Sequence, residues 1–362
     1  MKMLIINSDA LFERDGSYYI HKNTGVFIDN LIAKGCDISI FHFKKRLSNN
    51  TVSNYRIDNN KVKIYGVDRR KSKIGSHFFA FLFLIKMIKE IDFLYLFYPN
   101  AFLYSTLIAK VFRKPYAVYL RGEKNYKSRL SNYIYRNAKF VTSISPAFTQ
   151  HVLSVNKKSF TIKPMIDFNL SDISDKLPKD YNNHYSLLYI GRVERDKGVF
   201  ELIEALSILK LNSKYSFKLN IVGNGQHFNE ISELIYKHGL SENVELHGVI
   251  TDKDSIKVFY SEADIFILPS HHEGFPRVLY EAMIFKVPII TTFVGSISYI
   301  MKDTYNCFKI EVNNPDSIYE KLSYAMSNFN ILPILTENAT KTVLDYFESN
   351  NLSHEEILIK NI

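Results

Sequence analysis

The chain has 362 residues, of which 46% are hydrophobic and 23% charged, a composition typical of globular proteins and a length that favours two domains. Its two cysteines, Cys36 and Cys307, exclude a disulfide framework or a cysteine-rich zinc site and suit a reducing cytoplasm. The net charge of +9 is uneven: residues 1–163 carry 28 Lys and Arg against 10 Asp and Glu, whereas residues 164–362 carry 18 against 27. This asymmetry predicts that the first half faces nucleic acid, an anionic membrane or a phosphate-bearing acceptor.

The N-terminal segment MKMLIINSDALFERDG lacks the long apolar region and the cleavage site of a signal peptide. No run of about 18 apolar residues occurs, and the longest apolar segment, 77–88, is expected to be a buried helix. We therefore expect a cytoplasmic protein, either free or peripheral on the inner face of the cytoplasmic membrane.

The first half alternates apolar strand-like segments with segments of helical spacing. Strands are expected at 2–7, 37–43, 91–97, 115–120 and 140–145, and helices at 24–36, 76–90 and 101–112. Strands that alternate with helices predict a doubly wound α/β domain over residues 1–163.

The alternation breaks at residues 164–184, where prolines and many Asp, Asn and Ser residues predict a linker. It restarts over 185–341, which predicts a second doubly wound domain, and a helix at 342–362 is expected to pack back on the first domain. The expected strands are 186–191, 217–223, 244–248, 264–269 and 288–292, and the expected helices are 198–210, 227–239, 255–263 and 277–286. Two such domains in tandem are expected to leave a cleft between them, and ligands of these folds bind at the carboxyl ends of strands.

The segment YIGRVERDKG places three basic residues, Arg192, Arg195 and Lys197, between a strand that ends at Gly191 and a helix that begins near Gly198. Cations at the carboxyl end of a parallel strand suit phosphate oxygens. A solvated charged loop is the alternative interpretation.

Glycines also follow the next two strands. Gly223 and Gly225 stand in NIVGNGQ, and Gly248 stands in ELHGVI. Such glycines permit either a plain strand-to-helix turn or a close approach of the backbone to a ligand.

The segment SHHEGFPRVLYEAM carries Glu273 in the loop after a strand and Glu281 eight positions later, on the second turn of a helix that is expected to begin at Pro276. The N–H groups of residues 277–279 are expected to be free for an anion. A diphosphate there would leave one carboxylate on each side for the vicinal diols of a nucleotide sugar. Alternatively, Glu273 caps the helix and Glu281 lies on the surface.

The ordered motifs GRVERDKG, VGNG, LHGVI, LPSHHEGFPRVLYEAM and VPIITT resemble the C-terminal half of the retaining GT-B glycosyltransferases of family four, from Leu187 to about Gly295. Glu273 and Glu281 match the Glu-x7-Glu signature of that family. The resemblance implies the GT-B fold: α/β, with two Rossmann-like doubly wound domains facing a central cleft. The first domain would bind the acceptor and the second the nucleotide sugar.

The resemblance also implies roles for individual residues. Arg192 and Lys197 would hold the diphosphate and stabilise the leaving group, and Glu273 would bind sugar hydroxyls. Glu281 would bind the ribose diol, and residues near Asn224 would face the nucleobase. The full set of implied donor contacts is Gly191, Gly223, Asn224, Val249, Gly274, Phe275, Pro276, Arg277, Val278 and Glu281.

In the first half, the resemblance implies that Gly16 is a site residue, although its loop has fewer glycines than the family usually has. It also implies that Arg121, Gly122 and Glu123 in VYLRGEKNY are site residues. Arg121 is expected to contact sugar or phosphate, and Glu123 to bind the acceptor or act as a base. A salt bridge between domains is the alternative for each.

A metal site is suggested only by Asp252 and Asp254, which match the Asp-x-Asp of metal-dependent transferases. Asp is also an ordinary cap at a helix start. The resemblance implies a metal-free class, so we expect no metal and no other cofactor.

The resulting hypothesis is a retaining glycosyltransferase. It would move a hexose or N-acetylhexosamine from a nucleotide-diphosphate sugar, expected to be UDP-linked, to a hydroxyl of a polyprenyl-diphosphate-linked glycan in O-antigen, capsule or exopolysaccharide assembly. The basic first half, including RRKSK at 69–73, is expected to face an anionic membrane surface. The alternatives are a nucleotide-sugar epimerase or phosphorylase on the same scaffold, and nucleic-acid binding, for which no motif appears.

Overall fold

A computed structural model describes residues 1–7, 11–43, 45–46, 55–67, 72–122, 124–162, 166–174, 184–349 and 352–362. Glu123 and residues 69–71 of the RRKSK segment, for which roles are predicted above, lie outside the described residues. The chain divides into two compact units. Unit 1 comprises Met1–Lys163 and Leu352–Ile362, and unit 2 comprises Pro164–Asn351.

Unit 1 is built on a parallel sheet with helices on both faces. Its strands are β1 (Lys2–Ile6), β2 (Phe12–Arg14), β3 (Ser17–Ile20), β4 (Asp37–Phe43), β5 (Lys45–Arg46), β6 (Tyr55–Ile57), β7 (Val62–Val67), β8 (Phe93–Tyr98), β9 (Tyr116–Leu120), β10 (Val141–Ser143) and β11 (Ser159–Thr161). Its helices up to residue 163 are α1 (Lys22–Ala33), α2 (Lys73–Glu90), α3 (Tyr104–Val111), α4 (Arg129–Asn137) and α5 (Pro146–Leu153).

Seven of these strands form the main sheet in the order β11-β10-β9-β8-β1-β4-β7, and each neighbouring pair is parallel. Strand β8 reads FLYLFY and all six of its residues are buried, as expected for a central parallel strand covered on both faces. Helices α2 to α5 pack on one face of the sheet, and α1 packs on the other. A second, four-stranded sheet, β5-β2-β3-β6, was not predicted.

Unit 2 has a six-stranded parallel sheet in the order β14-β13-β12-β15-β16-β17. The strands are β12 (His184–Ile190), β13 (Ser216–Val222), β14 (Val244–Gly248), β15 (Ile265–Leu268), β16 (Ile289–Thr292) and β17 (Phe308–Ile310). The helices are α6 (Val199–Asn212), α7 (Phe228–Lys237), α8 (Lys253–Glu262), α9 (Arg277–Ile284), α10 (Ile297–Ile300), α11 (Pro315–Ser327) and α12 (Leu332–Ser349). The predicted α/β class with doubly wound parallel sheets is therefore confirmed.

The prediction of a single tail helix over 342–362 is wrong. The helix α12 begins at Leu332 and ends at Ser349 in unit 2, and a separate helix, α13 (His354–Asn361), belongs to unit 1. The second helix starts afresh because Ser353 and Glu356 form a capping box, in which each side chain accepts a hydrogen bond from the backbone N–H of the other.

Helix α13 is anchored in unit 1 by His354. The imidazole stacks on Phe27 with 4.2 Å between ring centroids, and its Nε2 is hydrogen-bonded to the Tyr95 hydroxyl at 2.6 Å. Leu358, one helical turn further on, is fully buried in the same core.

The expectation that residues 77–88 form a buried helix is only half right. The segment is helical, but only one side of α2 is buried, whereas Phe78 is 58% exposed and Leu82 is 48% exposed. The segment is apolar all round, so its sequence shows no periodicity that separates a buried side from an exposed one. Within the described ranges, no helix is both long and apolar enough to cross a bilayer.

Candidate functional site

The candidate site of unit 2 lies where the strand order reverses. Strands β12 and β15 are neighbours, with Leu187 beside Ile265, and the strands that follow each of them extend to opposite sides of the sheet. The loops after two such strands leave the sheet at the same edge and separate, which is where doubly wound folds bind ligands. Lys197 and Glu273 lie in these two loops.

The loop after β12 is fixed against the end of β13. The Gly191 N–H donates to the Val222 carbonyl at 3.0 Å, and the Val193 N–H donates to the Asn224 carbonyl at 3.1 Å. The hydroxyl of the buried Tyr189 donates to the Arg192 carbonyl at 2.8 Å. The basic residues therefore stand on a hydrogen-bonded turn rather than on a loose loop.

Two glycines allow the loops to approach one another. Gly223 has φ of 142°, and a Cβ there would lie 1.8 Å from the Gly191 carbonyl oxygen. Gly198 has φ of 69°, and a Cβ there would lie 2.1 Å from the Pro269 carbonyl oxygen. Both positions combine a left-handed or strained backbone with a contact that a side chain would block.

Lys197 and Glu273 form an ion pair across the two loops. Lys197 Nζ donates to Glu273 Oε1 at 2.7 Å and to the His272 carbonyl at 3.2 Å, and the two side chains are 13% and 12% exposed. The Ser270 hydroxyl donates to the same Glu273 oxygen at 2.7 Å. A cation and a carboxylate are thus held in place before any ligand arrives, and Glu273 does not cap the helix.

Arg192 lies in the same loop as Lys197, and its side chain is more exposed. Its guanidinium forms an ion pair with Glu194, and a second with Asp196 at 3.6 Å. Arg195 points elsewhere, because it pairs with Glu230 at 2.9 Å and covers the Phe200 ring at 4.3 Å. The structure thus separates the two arginines that the sequence placed together.

The second carboxylate, Glu281, lies on the second turn of α9 and is partly buried. The hydroxyl of Tyr260, a fully buried residue of α8, donates to Glu281 Oε2 at 2.9 Å. Burial raises the pKa of the Glu281 carboxyl above its ordinary value. The alternative that Glu281 is a plain surface residue does not fit this environment.

The helix expected over 277–286 begins at Arg277 and ends at Ile284. The prediction that Pro276 is its first residue is wrong, because Pro276 precedes the helix, which has no side-chain cap. Two of the three N–H groups expected to be free are hydrogen-bonded, because the Arg277 N–H donates to the Phe275 carbonyl and the Leu279 N–H donates to the Pro276 carbonyl, each at 3.1 Å. These hydrogen bonds lie within the turn at the start of the helix, and the position of a proline in the sequence does not predict them.

The loop that precedes α9 is also held from its other side. Ser296 donates from its hydroxyl to the Gly274 carbonyl at 2.6 Å, and the Phe275 ring stacks on Tyr280 at 5.0 Å. The loop backbone is therefore fixed from Ser270 to the helix.

The model of the family described as "Glycosyl transferases group 1" matches residues 172–342. Residues 172–342 form a group 1 glycosyltransferase domain.

Two curated relatives extend this comparison beyond the group 1 domain. The chain is 26% identical over 281 residues to the capsular polysaccharide biosynthesis glycosyltransferase CapM of Staphylococcus aureus, covering 71% of this chain and 73% of CapM. It is 25% identical over 190 residues to a Campylobacter jejuni α-1,4-N-acetyl-D-galactosaminyltransferase whose name specifies a diNAcBac-PP-undecaprenol acceptor, covering 52% of this chain and 51% of that one. The alignments with two other curated glycosyltransferases cover only 44% and 41% of those relatives.

Solved structures extend the fold to both units. Anabaena HepE, crystallised in complex with UDP and glucose, superposes with a TM-score of 0.68 at 15% identity and covers 100% of this chain and 97% of its own. At that identity the likeness shows the fold alone. The chain has the GT-B fold of these glycosyltransferases.

Within the group 1 domain, the remaining predicted donor contacts follow the strands. Asn224 lies just past β13 and accepts a hydrogen bond on its Oδ1 from the Gly225 N–H at 2.6 Å. Val249 follows β14 and is 41% exposed. Arg277 and Val278 occupy the first turn of α9 and are partly buried.

Asp252, one of the two aspartates considered for a metal, caps α8 of the group 1 domain. Its carboxylate accepts from the Ser255 N–H at 2.7 Å, which explains its position in the sequence. Across the described residues, no cluster of three His, Cys, Asp or Glu side chains has the spacing of a metal site.

The described site residues predicted in unit 1 lie in two different loops. Gly16 belongs to a two-residue turn, Asp15–Gly16, between β2 and β3, and both residues have positive φ as in a type I′ hairpin. The expected glycine-rich loop is therefore a hairpin. Arg121 and Gly122 follow β9, and the Arg121 guanidinium lies 5.6 Å from the Tyr119 ring centroid.

Two residues of the group 1 site were missed by the sequence interpretation. Ser270 directly follows the predicted strand 264–269 and had no predicted role, yet its hydroxyl holds Glu273. In the sequence, Tyr260 has the pattern of an ordinary core residue of an amphipathic helix, yet its hydroxyl holds Glu281. The contact depends on how α8 packs beside α9, and no sequence motif predicts that packing.

Proposed function

We propose that this protein is a retaining glycosyltransferase that transfers a hexose or N-acetylhexosamine from a UDP-sugar to a hydroxyl of a lipid-linked glycan. The observation that carries the proposal is the Lys197–Glu273 ion pair at the strand switch point of a group 1 glycosyltransferase domain, with Glu281 held by Tyr260 on the following helix, α9. A nucleotide sugar has a dianionic diphosphate between two diols, and this domain offers a cation, Lys197, and two carboxylates, Glu273 and Glu281.

The cations act on the leaving group. Lys197 and Arg192 bind the diphosphate, and their charges matter most when the sugar–phosphate bond breaks, because negative charge grows on the leaving oxygen. Metal-free stabilisation of this kind needs no ion beyond the two side chains.

The carboxylates orient the donor. Glu273 accepts hydrogen bonds from sugar hydroxyls, with the backbone of Gly274, Phe275 and Pro276 beside it. Glu281 accepts from the ribose diol, and Tyr260 keeps its second oxygen turned away. Gly223, Asn224 and Val249 form the side that receives the nucleobase.

The reaction proceeds on one face of the sugar. The bond from the anomeric carbon to the diphosphate oxygen breaks, the acceptor oxygen bonds to the same carbon from the same side, and the acceptor proton passes to the leaving diphosphate. No protein nucleophile is required, and the chain contributes orientation and electrostatic stabilisation.

The acceptor is a polyprenyl-diphosphate-linked glycan of capsule, O-antigen or exopolysaccharide assembly, at the inner face of the cytoplasmic membrane. The names of CapM and of the C. jejuni enzyme support this class. The UDP in the HepE structure supports the nucleotide.

The test begins with a panel of nucleotide sugars in a thermal-shift assay, because a bound donor raises the melting temperature. The stabilising donor, labelled in the sugar, is then incubated with lipid-linked acceptor, and the anomeric configuration of the product is determined by NMR. Label that appears in a new sugar nucleotide without acceptor would instead indicate an epimerase, and label in a sugar phosphate would indicate a phosphorylase.

Lys197→Ala should lower kcat about 100-fold or more with a smaller change in donor KM, because the lost interaction strengthens in the transition state. Glu281→Ala should mainly raise donor KM. Lys237→Ala, at an exposed position of α7, is the matched control and should leave both constants unchanged. Wild-type rates in the Lys197 and Glu281 variants would refute the assignment.

A further inference from the structure

Helix α2 carries an apolar stripe on its outer side. Ile74, Phe78 and Leu82 follow one another at four-residue spacing and are 85%, 58% and 48% exposed, and Phe79 beside them is 44% exposed. Residues four apart lie on one side of a helix. Large side chains exposed together in this way indicate a surface that binds something, because scattered exposure would not follow the helical spacing.

The neighbouring helices continue this surface. Helix α3 exposes Leu107 and Val111, and α4 exposes Leu130 and Tyr133. The two helices are joined because Lys110 Nζ donates to the Tyr133 hydroxyl at 2.8 Å. We call the outer side of α2, α3 and α4 the helical face of unit 1.

The same three helices also carry many basic residues. The helical face and the residues just after its helices carry Lys86, Lys89, Lys110, Arg113, Lys114, Arg129, Arg136 and Lys139. Glu90 is the single acidic residue within the three helices. The helical face is thus cationic as well as apolar.

Four of these cations share one depression. A cavity of about 320 Å³ is lined by Lys110, Arg113, Lys114 and Lys139, together with Pro115, Tyr116 and Asn137. The lining contains no carboxylate, so an anionic group that enters it meets only cations and neutral groups. Phosphate is the common biological anion that such a lysine and arginine set binds.

An anionic bilayer matches both properties. Apolar side chains of an interfacial helix enter the boundary between headgroups and acyl chains, while Lys and Arg meet the phosphates. A second copy of this chain fits less well, because a two-fold interface would place the same cationic surface against itself. Nucleic acid would neutralise the cations but would leave the aliphatic Ile74, Leu82 and Val111 without a partner.

We propose that the helical face of unit 1 docks on an anionic lipid bilayer, with the α2 stripe in the headgroup–acyl boundary and the Lys110–Lys139 cavity around lipid phosphates. The proposed function, with its lipid-linked acceptor, gives such docking a purpose, and the inference rests on it to that extent. The vesicle measurements themselves need neither donor nor acceptor.

The experiment is flotation of the full chain with vesicles of phosphatidylcholine, alone or mixed with phosphatidylglycerol. Binding to the mixed vesicles at low salt, weakened by added salt, is the expected result, because lipid and side-chain charges are screened. Equal binding to both vesicle types, or none to the mixed vesicles, would overturn the proposal.

Two pairs of variants separate the apolar and the charged contributions. Phe78→Ser with Leu82→Ser should weaken partitioning at least about tenfold, whereas the control pair Leu211→Ser with Tyr236→Ser, at positions 84% and 81% exposed in unit 2, should not change it. Lys114→Gln with Lys139→Gln should weaken partitioning roughly 30-fold at low salt. Its control pair is Lys237→Gln with Lys341→Gln, at exposed positions of unit 2. None of these positions is buried, and all except the half-buried Lys114 are exposed, so melting temperatures should stay at the wild-type value.

Several outcomes would contradict docking by this surface. One is that the helical-face variants bind vesicles as well as wild type does. Another is that sedimentation shows a dimer of the wild-type protein that Phe78→Ser with Leu82→Ser dissociates. Lys197→Ala separates the two proposals: it should lose transfer and keep vesicle binding. If the wild-type protein transfers no sugar from any donor of the panel, the proposed function fails while the vesicle result stands on its own, whereas full transfer by Lys197→Ala would refute only the role of Lys197.

Discussion

At the scale of single residues, the site is organised by charges that are already paired. Lys197 and Glu273 are nearly buried and neutralise each other at 2.7 Å, and Ser270 fixes the carboxylate in one orientation. A donor that binds here meets preformed geometry, so less side-chain ordering remains to oppose binding.

Glu281 gives a prediction on stability and pH. Because burial raises the pKa of this carboxyl above 4.5, the folded protein holds the proton more tightly than the unfolded chain does. Its contribution to the free energy of unfolding is therefore full below 4.5 and is lost as pH rises through the raised pKa. Glu281→Gln stays neutral throughout, so its stability relative to wild type should increase as pH rises across that window.

Urea unfolding of wild type and Glu281→Gln at a series of pH values measures this difference. Other titrating groups are common to both proteins and cancel in the comparison. A difference that does not vary with pH would show that the carboxyl titrates normally in the folded state.

At the scale of elements, the strand-to-helix turns depend on glycine. Gly198→Ala should destabilise the protein by about 2 kcal/mol or more, because two costs add up: an alanine in the left-handed region is strained, and its Cβ would clash with the Pro269 carbonyl. Gly239→Ala is a matched control, because Gly239 has φ of 65° but nothing within 4 Å of an added Cβ. It should cost only the backbone strain, about 1 kcal/mol. Equal losses in a denaturant titration would mean that the clash relaxes.

Helix α13 gives a second prediction at this scale. Burial, helped by the Arg121 charge, lowers the pKa of His354 to about 3. The unfolded chain takes up a proton near pH 6.5 and the folded chain does not, so stability should fall by roughly 1.4 kcal/mol per pH unit between 6.5 and 3. His354→Gln should reduce this slope, and His184→Gln, at an exposed position, should retain it. Unfolding midpoints between pH 6.5 and 4 give the comparison.

Elements with strong local patterns were predictable, and those defined by partners were not. The apolar runs of β8 and β12 and the glycines after β12 and β13 indicated the parallel sheets and the loops of the site. The β2–β3 hairpin is short and its turn, Asp15–Gly16, was interpreted through a family loop instead of through turn chemistry. Glu273 was placed correctly ahead of α9, whereas Tyr260 beside Glu281 depends on packing between helices, which the sequence pattern does not show.

At the scale of the whole molecule, the two units share one winding rule. In each main sheet the first strand is internal, the next strands extend to one side and the later strands to the other. Unit 1 is nevertheless discontinuous in sequence, because α13 rejoins it after unit 2.

This division predicts that residues 164–351 fold alone. They contain a core of their own, and all the residues predicted to bind the donor lie within them. We expect the fragment to melt cooperatively and to gain about 2.7 kcal/mol at a UDP concentration 100 times its Kd. Residues 1–163 alone lack His354 and Leu358, so a synthetic peptide of residues 352–362 should raise their melting temperature. A 164–351 fragment that is unfolded, or folded and unaffected by UDP, would contradict the expectation.

Arg192 already has Glu194 and Asp196 as internal counter-ions. A diphosphate that reaches this turn therefore competes with carboxylates for an occupied guanidinium, and binding exchanges one anion for another. Ion exchange of this kind changes the local net charge less than the filling of a bare cationic pocket would. It also favours an anion that can offer two oxygens to the guanidinium fork, since a weaker competitor leaves the carboxylates in place. We therefore expect inorganic anions of low charge to displace these carboxylates from Arg192 poorly.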